Sequence, residues 1–161
     1  KNKKMIIRKA TEKDMSFVLE LIQELATFEK EPDAVVVTVA DLVRDGFSEH
    51  PLFQCIVAEK ENTIIGMALF YYRYSTWKGK TIHLEDLIVK ADQRGTGAGF
   101  ALYKEIIKQG KKDKVRRIEW NVLEWNTPAI AFYEKSGAKI IDDWRVVQMN
   151  ESGIERFLIE E

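Results

Sequence analysis

Apolar and polar positions alternate over residues 5–8, which predicts a short opening strand. Thr11 with Asp14 three positions on is a helix-start pair, and Met15, Val18, Leu19, Ile22, Leu25 and Ala26 then recur at helical spacing as one apolar stripe. The stripe runs out near Phe28, ahead of Pro32. Thr38 and Asp41 repeat the start signal for a shorter helix ending at Gly46. Three strand-like runs follow at 53–59, 63–74 and 81–89, and the links Glu61-Asn62 and Trp77-Lys78-Gly79-Lys80 are short enough for antiparallel hairpins. Strand alternation would put His83, Glu85 and Leu87 on one face and Leu84, Asp86 and Ile88 on the other.

After Val89 the pattern changes. A glycine-rich turn at 95–99 leads into a helix carrying Leu102, Tyr103, Ile106 and Ile107, and 117–122 reads as a strand. A strand, a helix and a strand in that order allow the outer two to lie parallel. Thr127-Pro128 starts a further helix that stops at Ser136-Gly137. Strands are predicted at 138–141 and 145–149, and the tail from Gly153 fits helix or strand. Neither an internal repeat nor a linker interrupts the chain, so residues 1–161 read as a single α/β domain with a mostly antiparallel sheet.

Composition narrows the function classes. A chain of 161 residues with 45% hydrophobic content buries one core, and its net charge of −1 supplies no global field for nucleic acid. A cationic substrate would therefore need a local acidic pocket. The basic run at 108–117 reads as a solvated helix end. The lone Cys55 rules out an intramolecular disulfide and a cysteine-rich zinc site, and it reads as a small core residue. Lys1-Asn2-Lys3-Lys4 is followed by no apolar run of signal length, and no stretch has the length of a membrane span. These features lead to the expectation of a cytoplasmic protein with no metal, no nucleic-acid partner and no membrane partner.

The turn Gln93-Arg94-Gly95-Thr96-Gly97-Ala98-Gly99 joins a strand to a helix. Backbone without Cβ atoms, placed at a helix N-terminus, suits a phosphate or pyrophosphate. By themselves the glycines fit a tight turn equally well. Phe100 stands where a dinucleotide fingerprint needs its third glycine, and no Gly-Lys-Ser/Thr follows for a P-loop. The remaining pattern, Arg94-x-x-Gly97-x-Gly99, resembles the acyl-CoA motif of the GNAT N-acetyltransferases. Asp45-Gly46-Phe47, Pro51, Val57-Ala58-Glu59, Leu84-Glu85-Asp86, Glu124-Trp125-Asn126, Phe132-Tyr133 and Gly137-Ala138 extend the resemblance, in order, to the spermidine/spermine acetyltransferase subfamily. Tyr74-Ser75-Thr76-Trp77-Lys78-Gly79 is most similar to its thialysine branch, because the polyamine branch carries an aspartate at the position of Ser75.

The resemblance implies a GNAT fold: a twisted mixed sheet with helices on both faces, splayed between its fourth and fifth strands at the acetyl-CoA site. It implies that Leu87, Ile88 and Val89 pair with the pantetheine arm. The pyrophosphate would rest on Arg94, Gly95, Thr96, Gly97, Ala98, Gly99 and Phe100. Asn126, Thr127, Pro128, Ala129 and Tyr133 are implied as further contacts to the coenzyme, although Glu134-Lys135-Ser136 lacks the basic residues common after that tyrosine.

Acetyl transfer to an amine needs a base to free the nitrogen and an acid for the departing thiolate. The resemblance assigns Glu85 as base, through water, and Tyr133 as acid; a solvated or ion-paired Glu85 and a core-packing Tyr133 are the plainer alternatives. His83 reads as a satisfied structural histidine. Phe28, Glu29, Glu85, Glu119, Trp120 and Asn121 are the expected contacts to a small primary amine. A homodimer is implied by the family alone. The rival functions are acetylation of a protein N-terminus or lysine, and a CoA-binding module without catalysis.

Overall fold

Five strands lie side by side in sequence order: β1 (Met5–Lys9), β2 (Gln54–Lys60), β3 (Thr63–Ser75), β4 (Gly79–Val89) and β5 (Arg117–Glu119). The computed structural model describes residues 4–159. β1 to β4 are antiparallel neighbours, while β5 joins β4 in parallel. Glu61 and Asn62, with φ of 53° and 61°, make the tight turn between β2 and β3. Positive φ at both central residues gives a hairpin the twist its strands need.

Three helices cover the two faces of this sheet. Met15, Val18 and Leu21 of α1 (Met15–Phe28) and Leu42 of α2 (Val39–Gly46) pack on Val57, Met67, Leu69 and Ile88. Ala98, Leu102 and Ile106 of α3 (Ala98–Lys112) pack on Ile56, Ala58, Ala68, Ile82 and Leu84 on the opposite face. Both faces of β2 and β3 are thus buried, which is why these strands read as nearly continuous apolar runs. Cys55 is buried on the α1 side, as expected, and burial pushes its thiol up to about 12. The start of α1 is pinned by Asp14, which accepts from Thr11 N–H at 2.7 Å and from Arg8 Nη1 at 2.7 Å.

Strand β4 departs from the expected pattern in two ways, and both bear on the site. Leu69 of β3 pairs with Asp86 but its neighbour Phe70 pairs with Leu84, so Glu85 is skipped in the ladder as a bulge. Strict alternation is thereby overturned: Leu84 and Leu87 pack on the same α3-side core, whereas Ile88 belongs to the α1 side. Secondly, pairing with β5 stops at His83↔Glu119. The fifth strand is shorter than the expected 117–122, and from Leu84 onward β4 has no strand on that edge among the described residues. This is the splay.

The chain divides into two compact units, one ending at Asn121 and the other beginning at Val122. The second holds α4 (Thr127–Lys135), capped by Asn126 with Pro128 in its first turn and closed by Gly137 at φ 100°. The ambiguous tail is helical, α5 (Glu151–Ile159), and Asn150 Oδ1 accepts from Gly153 N–H at 2.8 Å at its start. The strands expected at 138–141 and 145–149 do not form. Their residues carry the right propensity, but no neighbouring backbone pairs with them among the described residues, and Trp144, Val146 and Val147 stand 72%, 70% and 93% exposed. A strand is made by its partner as much as by its side chains.

Gly66 of β3 is hemmed in by the neighbouring strand and by α3. A Cβ there would sit 2.9 Å from the Ile88 carbonyl oxygen and 3.2 Å from Leu102 Cδ1. Gly66→Ala is expected to destabilise the protein by roughly 1–3 kcal/mol, since the backbone of β4 must move to admit the methyl group. A lower urea midpoint at unchanged slope is the expected result.

Candidate active site

The exposed turn after β4 is built around its glycines. Gly95 and Gly97 take φ of 80° and 88°, a region costly for other residues. A Cβ at either position would meet nothing within 4 Å, so it is conformation and not crowding that requires glycine, and the space before the turn is open. Thr96 Oγ1 donates to Gln93 O at 2.7 Å and braces the loop. The bond from Ala101 N–H to Gly97 O, at 3.0 Å, runs between the first turn of α3 and its cap. The N–H groups of Ala98, Gly99 and Phe100 precede it and have no helical acceptor. The open edge of β4 at Leu87, Ile88 and Val89 leads directly into this turn. Together these features make a cradle for an extended ligand with an anionic group.

Acidic groups gather on the α1 side of the same strand. The Glu85 side chain is 51% exposed, and its Oε2 accepts from the Tyr71 hydroxyl at 3.2 Å and lies 3.4 Å from His83 Nε2. Next to it, burial pushes the Asp86 carboxyl up to about 6, and the charges of Glu85 and then Glu29 add to the rise. Glu29, at the end of α1, is itself raised by burial. The end of α1 is tied to the turn, for Glu24 Oε1 accepts from Ala91 N–H at 2.8 Å. The Arg94 guanidinium stands 5.6 Å from the centre of the Phe28 ring. Two carboxyls held toward their uncharged forms, Asp86 and Glu29, with Glu85 beside them, are a place where an ammonium group is welcome.

Of the residues expected at the site, the first unit brings together Phe28, Glu29, Glu85, the β4 edge and the glycine turn. Glu119 is engaged otherwise, in ion pairs with Arg73 and with Arg117 Nε at 3.1 Å. Trp120 packs on the α3-side core, its ring edge-on to Tyr103 at 5.8 Å, and Asn121 is exposed. Asn126, Thr127, Pro128, Ala129 and Tyr133 lie in the second unit, around the first two turns of α4, with Tyr133 half-buried and edge-on to Phe132 at 5.7 Å. Sequence reasoning missed Asp86 and Tyr71 as site residues. Asp86 had a signal, its place beside Glu85. Tyr71 had none short of the β3–β4 register.

A sheet that opens beside its fourth strand, with a glycine turn at a helix N-terminus, is the architecture that the family resemblance implies. The sequence profile of the acetyltransferase (GNAT) family matches residues 16–138, across both units, and the chain belongs to this family of acetyl-transferring enzymes. It is 37% identical over 143 residues to thialysine N-epsilon-acetyltransferase of Bos taurus, covering 84% of each chain. It is 33% identical over 154 residues to the human spermidine/spermine N(1)-acetyltransferase-like protein 1, covering 89% of this chain and 22% of that larger protein. Among solved structures, an integron cassette protein from the mobile metagenome of V. cholerae superposes with a TM-score of 0.77 at 21% identity, covering 96% of this chain and 97% of the other.

Asp86 also gives a stability test. Its carboxyl holds its proton more tightly in the folded chain, about 6 against an ordinary 3.8. The fold is therefore weakened as pH rises through that interval, fully so above it and not at all below it. Asp86→Asn is expected to stabilise the protein at pH 8 by on the order of 1–2 kcal/mol, a gain that vanishes at pH 3.5. Denaturant titrations of both proteins at the two pH values check this.

Proposed function

We propose that this chain transfers the acetyl group of acetyl-CoA directly to the primary amine of a small molecule such as thialysine, a lysine-like amine, a diamine or a polyamine. The observation that carries this reading is the set Glu29, Glu85 and Asp86, a local concentration of negative charge in a chain whose net charge is only −1. The names of the thialysine and polyamine acetyltransferase relatives support it.

The residues present fit the donor. The N–H groups of Ala98, Gly99 and Phe100 and the Arg94 guanidinium would hold its pyrophosphate, and the unpaired edge at Leu87, Ile88 and Val89 its extended arm, with Asn126, Thr127, Pro128 and Ala129 adding contacts. Acetyl-CoA supplies an acetyl group activated as a thioester. Asp86 and Glu29 hold the ammonium of the acceptor, and Phe28 covers its apolar stem. Glu85 takes a proton from that ammonium, directly or through water, leaving the electron pair on nitrogen for attack at the acetyl carbon. Tyr133 gives its phenolic proton to the sulfur as the carbon–sulfur bond breaks, and the second proton shed by the nitrogen as the amide forms restores the phenol through solvent. The products are an N-acetylated amine, free thiol and one proton.

The match of one family profile to residues 16–138 supports reading both units as a single working domain. The exposed Trp144, Val146, Val147, Phe157 and Leu158 support a homodimer, since a second copy would remove this apolar surface from water. A chain with one buried cysteine makes no demand on an oxidising compartment, consistent with a cytoplasmic enzyme.

Tyr133→Phe is expected to lower kcat about tenfold to thousandfold, a much larger loss than that of acetyl-CoA affinity. Glu85→Gln should lose most rate at lower pH, where more of the amine is protonated; a pH–rate profile of unchanged height and shape would remove Glu85 from the role of base.

The acceptor is tested by thiol release over a panel of amines. Thialysine or a short diamine is expected to match or exceed spermine in kcat/KM, because Ser75 offers a long polycation no carboxylate. Ser75 Oγ accepts from the N–H groups of Trp77 and Lys78 at 3.2 and 3.1 Å, a cap that aspartate also provides. Ser75→Asp should therefore keep the turn and raise activity on spermine relative to thialysine. A wild-type enzyme strongly selective for spermine shows that position 75 does not select the acceptor, and acetylation confined to peptides contradicts the proposal.

A further inference from the structure

His83 is 7% exposed and stands between groups from three strands. Its Nε2 lies 3.4 Å from Glu85 Oε2 on β4, and its Nδ1 lies 3.5 Å from Glu119 Oε1 on β5. From β3, Tyr71 pairs directly with His83 and lays its ring against the imidazole with centroids 5.2 Å apart. The Tyr71 hydroxyl donates to Glu85 Oε2 at 3.2 Å, the same oxygen that His83 approaches. Also from β3, Arg73 Nη1 is 3.4 Å from His83 Nδ1 and is ion-paired with Glu119 Oε1. Arg117 Nε holds the other oxygen of Glu119 at 3.1 Å. Glu119 Oε1 is sealed from solvent and accepts no well-aligned hydrogen bond among the described residues, so the guanidinium beside it is its compensation.

Nδ1 thus faces a donor, Arg73, at 3.4 Å and an acceptor, Glu119 Oε1, at 3.5 Å. A guanidinium has only donors and already neutralises Glu119, so in the neutral ring it favours a lone pair on Nδ1 and a proton on Nε2, facing Glu85. Two donors, Nε2–H and the Tyr71 hydroxyl, then converge on Glu85 Oε2. The oxygen left over is Oε1. A carboxylate that bulges out of a ladder and is 51% exposed would otherwise rotate freely between its two oxygens.

We propose that His83 is a positioning residue for Glu85: with Tyr71 it fixes Oε2 and so presents Oε1 to the ammonium of the acceptor, while Arg73, anchored on Glu119, sets the ring tautomer. Glu119 thus acts three groups back from the amine, through Arg73 and His83. The inference rests on Glu85 being the base. The contacts are longer than ideal hydrogen bonds, as expected of a site that tightens when its substrate binds.

Two variants and one spectrum test it. His83→Phe keeps a flat ring and loses the donor; kcat is expected to fall about tenfold to a hundredfold with the KM for acetyl-CoA unchanged. His83→Gln restores a donor and is expected to recover at least a third of the lost activity on a logarithmic scale. In the wild-type protein, nitrogen-15 NMR of the imidazole is expected to report the Nε2–H tautomer, and Arg73→Leu is expected to move it toward Nδ1–H, which would then face Glu119. An Nδ1–H tautomer in the wild type, a Phe variant with wild-type kcat, or a Gln variant no better than Phe overturns the proposal. The spectrum decides the geometry even where a variant fails to fold. It also separates this inference from its premise: if Glu85→Gln keeps full turnover, the base assignment fails, while the tautomer and its dependence on Arg73 still report whether the clamp exists.

Discussion

Between Leu69 and Phe70 the ladder to β4 skips Glu85, and the arrangement of the site depends on that one slip. A strand with unbroken alternation would send its side chains to the two faces in turn, and a one-residue shift reverses every assignment beyond it. Here the shift lets Leu84 and Leu87 both pack on the α3-side core. It turns Asp86 to where the charge of Glu29 at the end of α1 reaches it. Glu85 stands out of the ladder, against Tyr71 and His83. The same strand then continues without β5 beside it and delivers the chain into the glycine turn, so the acids and the cradle share one short stretch of backbone.

Two acidic clusters beside the same sheet handle burial in opposite ways. Asp14 and Glu59 share Arg8, at 2.7 and 3.0 Å, and the guanidinium holds the Asp14 carboxyl below its ordinary range. Each buried charge there has its counterion. The charges that act on Asp86 are those of Glu85 and Glu29, and they drive its carboxyl the other way. A group left in that condition weakens the fold, and the loss is recovered when a cation binds. Arrangements of this kind concentrate at functional sites because only there is the missing partner a ligand.

Much of this was legible in the sequence. The capping pairs Thr11/Asp14 and Thr38/Asp41 mark two helix starts and are formed, and the central strands lie where their apolar runs place them. The glycine turn was legible too, because positive φ at Gly95 and Gly97 is written into the residue type. What failed depended on partners that a linear pattern does not contain. The bulge at Glu85 is a property of β3 and β4 together. The run at 138–149 has the composition of strands but lacks a paired backbone among the described residues. The ion pairs of Glu119 with Arg73 and Arg117 likewise depend on β3 and β5 lying beside β4 and are not written in the linear pattern. Family resemblance supplied the roles of Glu85 and Tyr133; spacing alone left both ambiguous.

The unequal backbone pairing also sets a spread of lifetimes. β3 is paired on both sides from Gly66 to Phe70, where it is also buried, so the amide protons of that stretch leave only when the whole unit opens. The 138–149 segment, exposed and outside any ladder, opens at almost no cost. Between these extremes lies the end of β4, with its amides secured by β3 on one side only. An extended ligand arm paired along that edge would complete the ladder there. Solvent exchange at Leu87 to Val89 would then slow, and the rim of the site would become part of the rigid sheet for as long as the ligand stays.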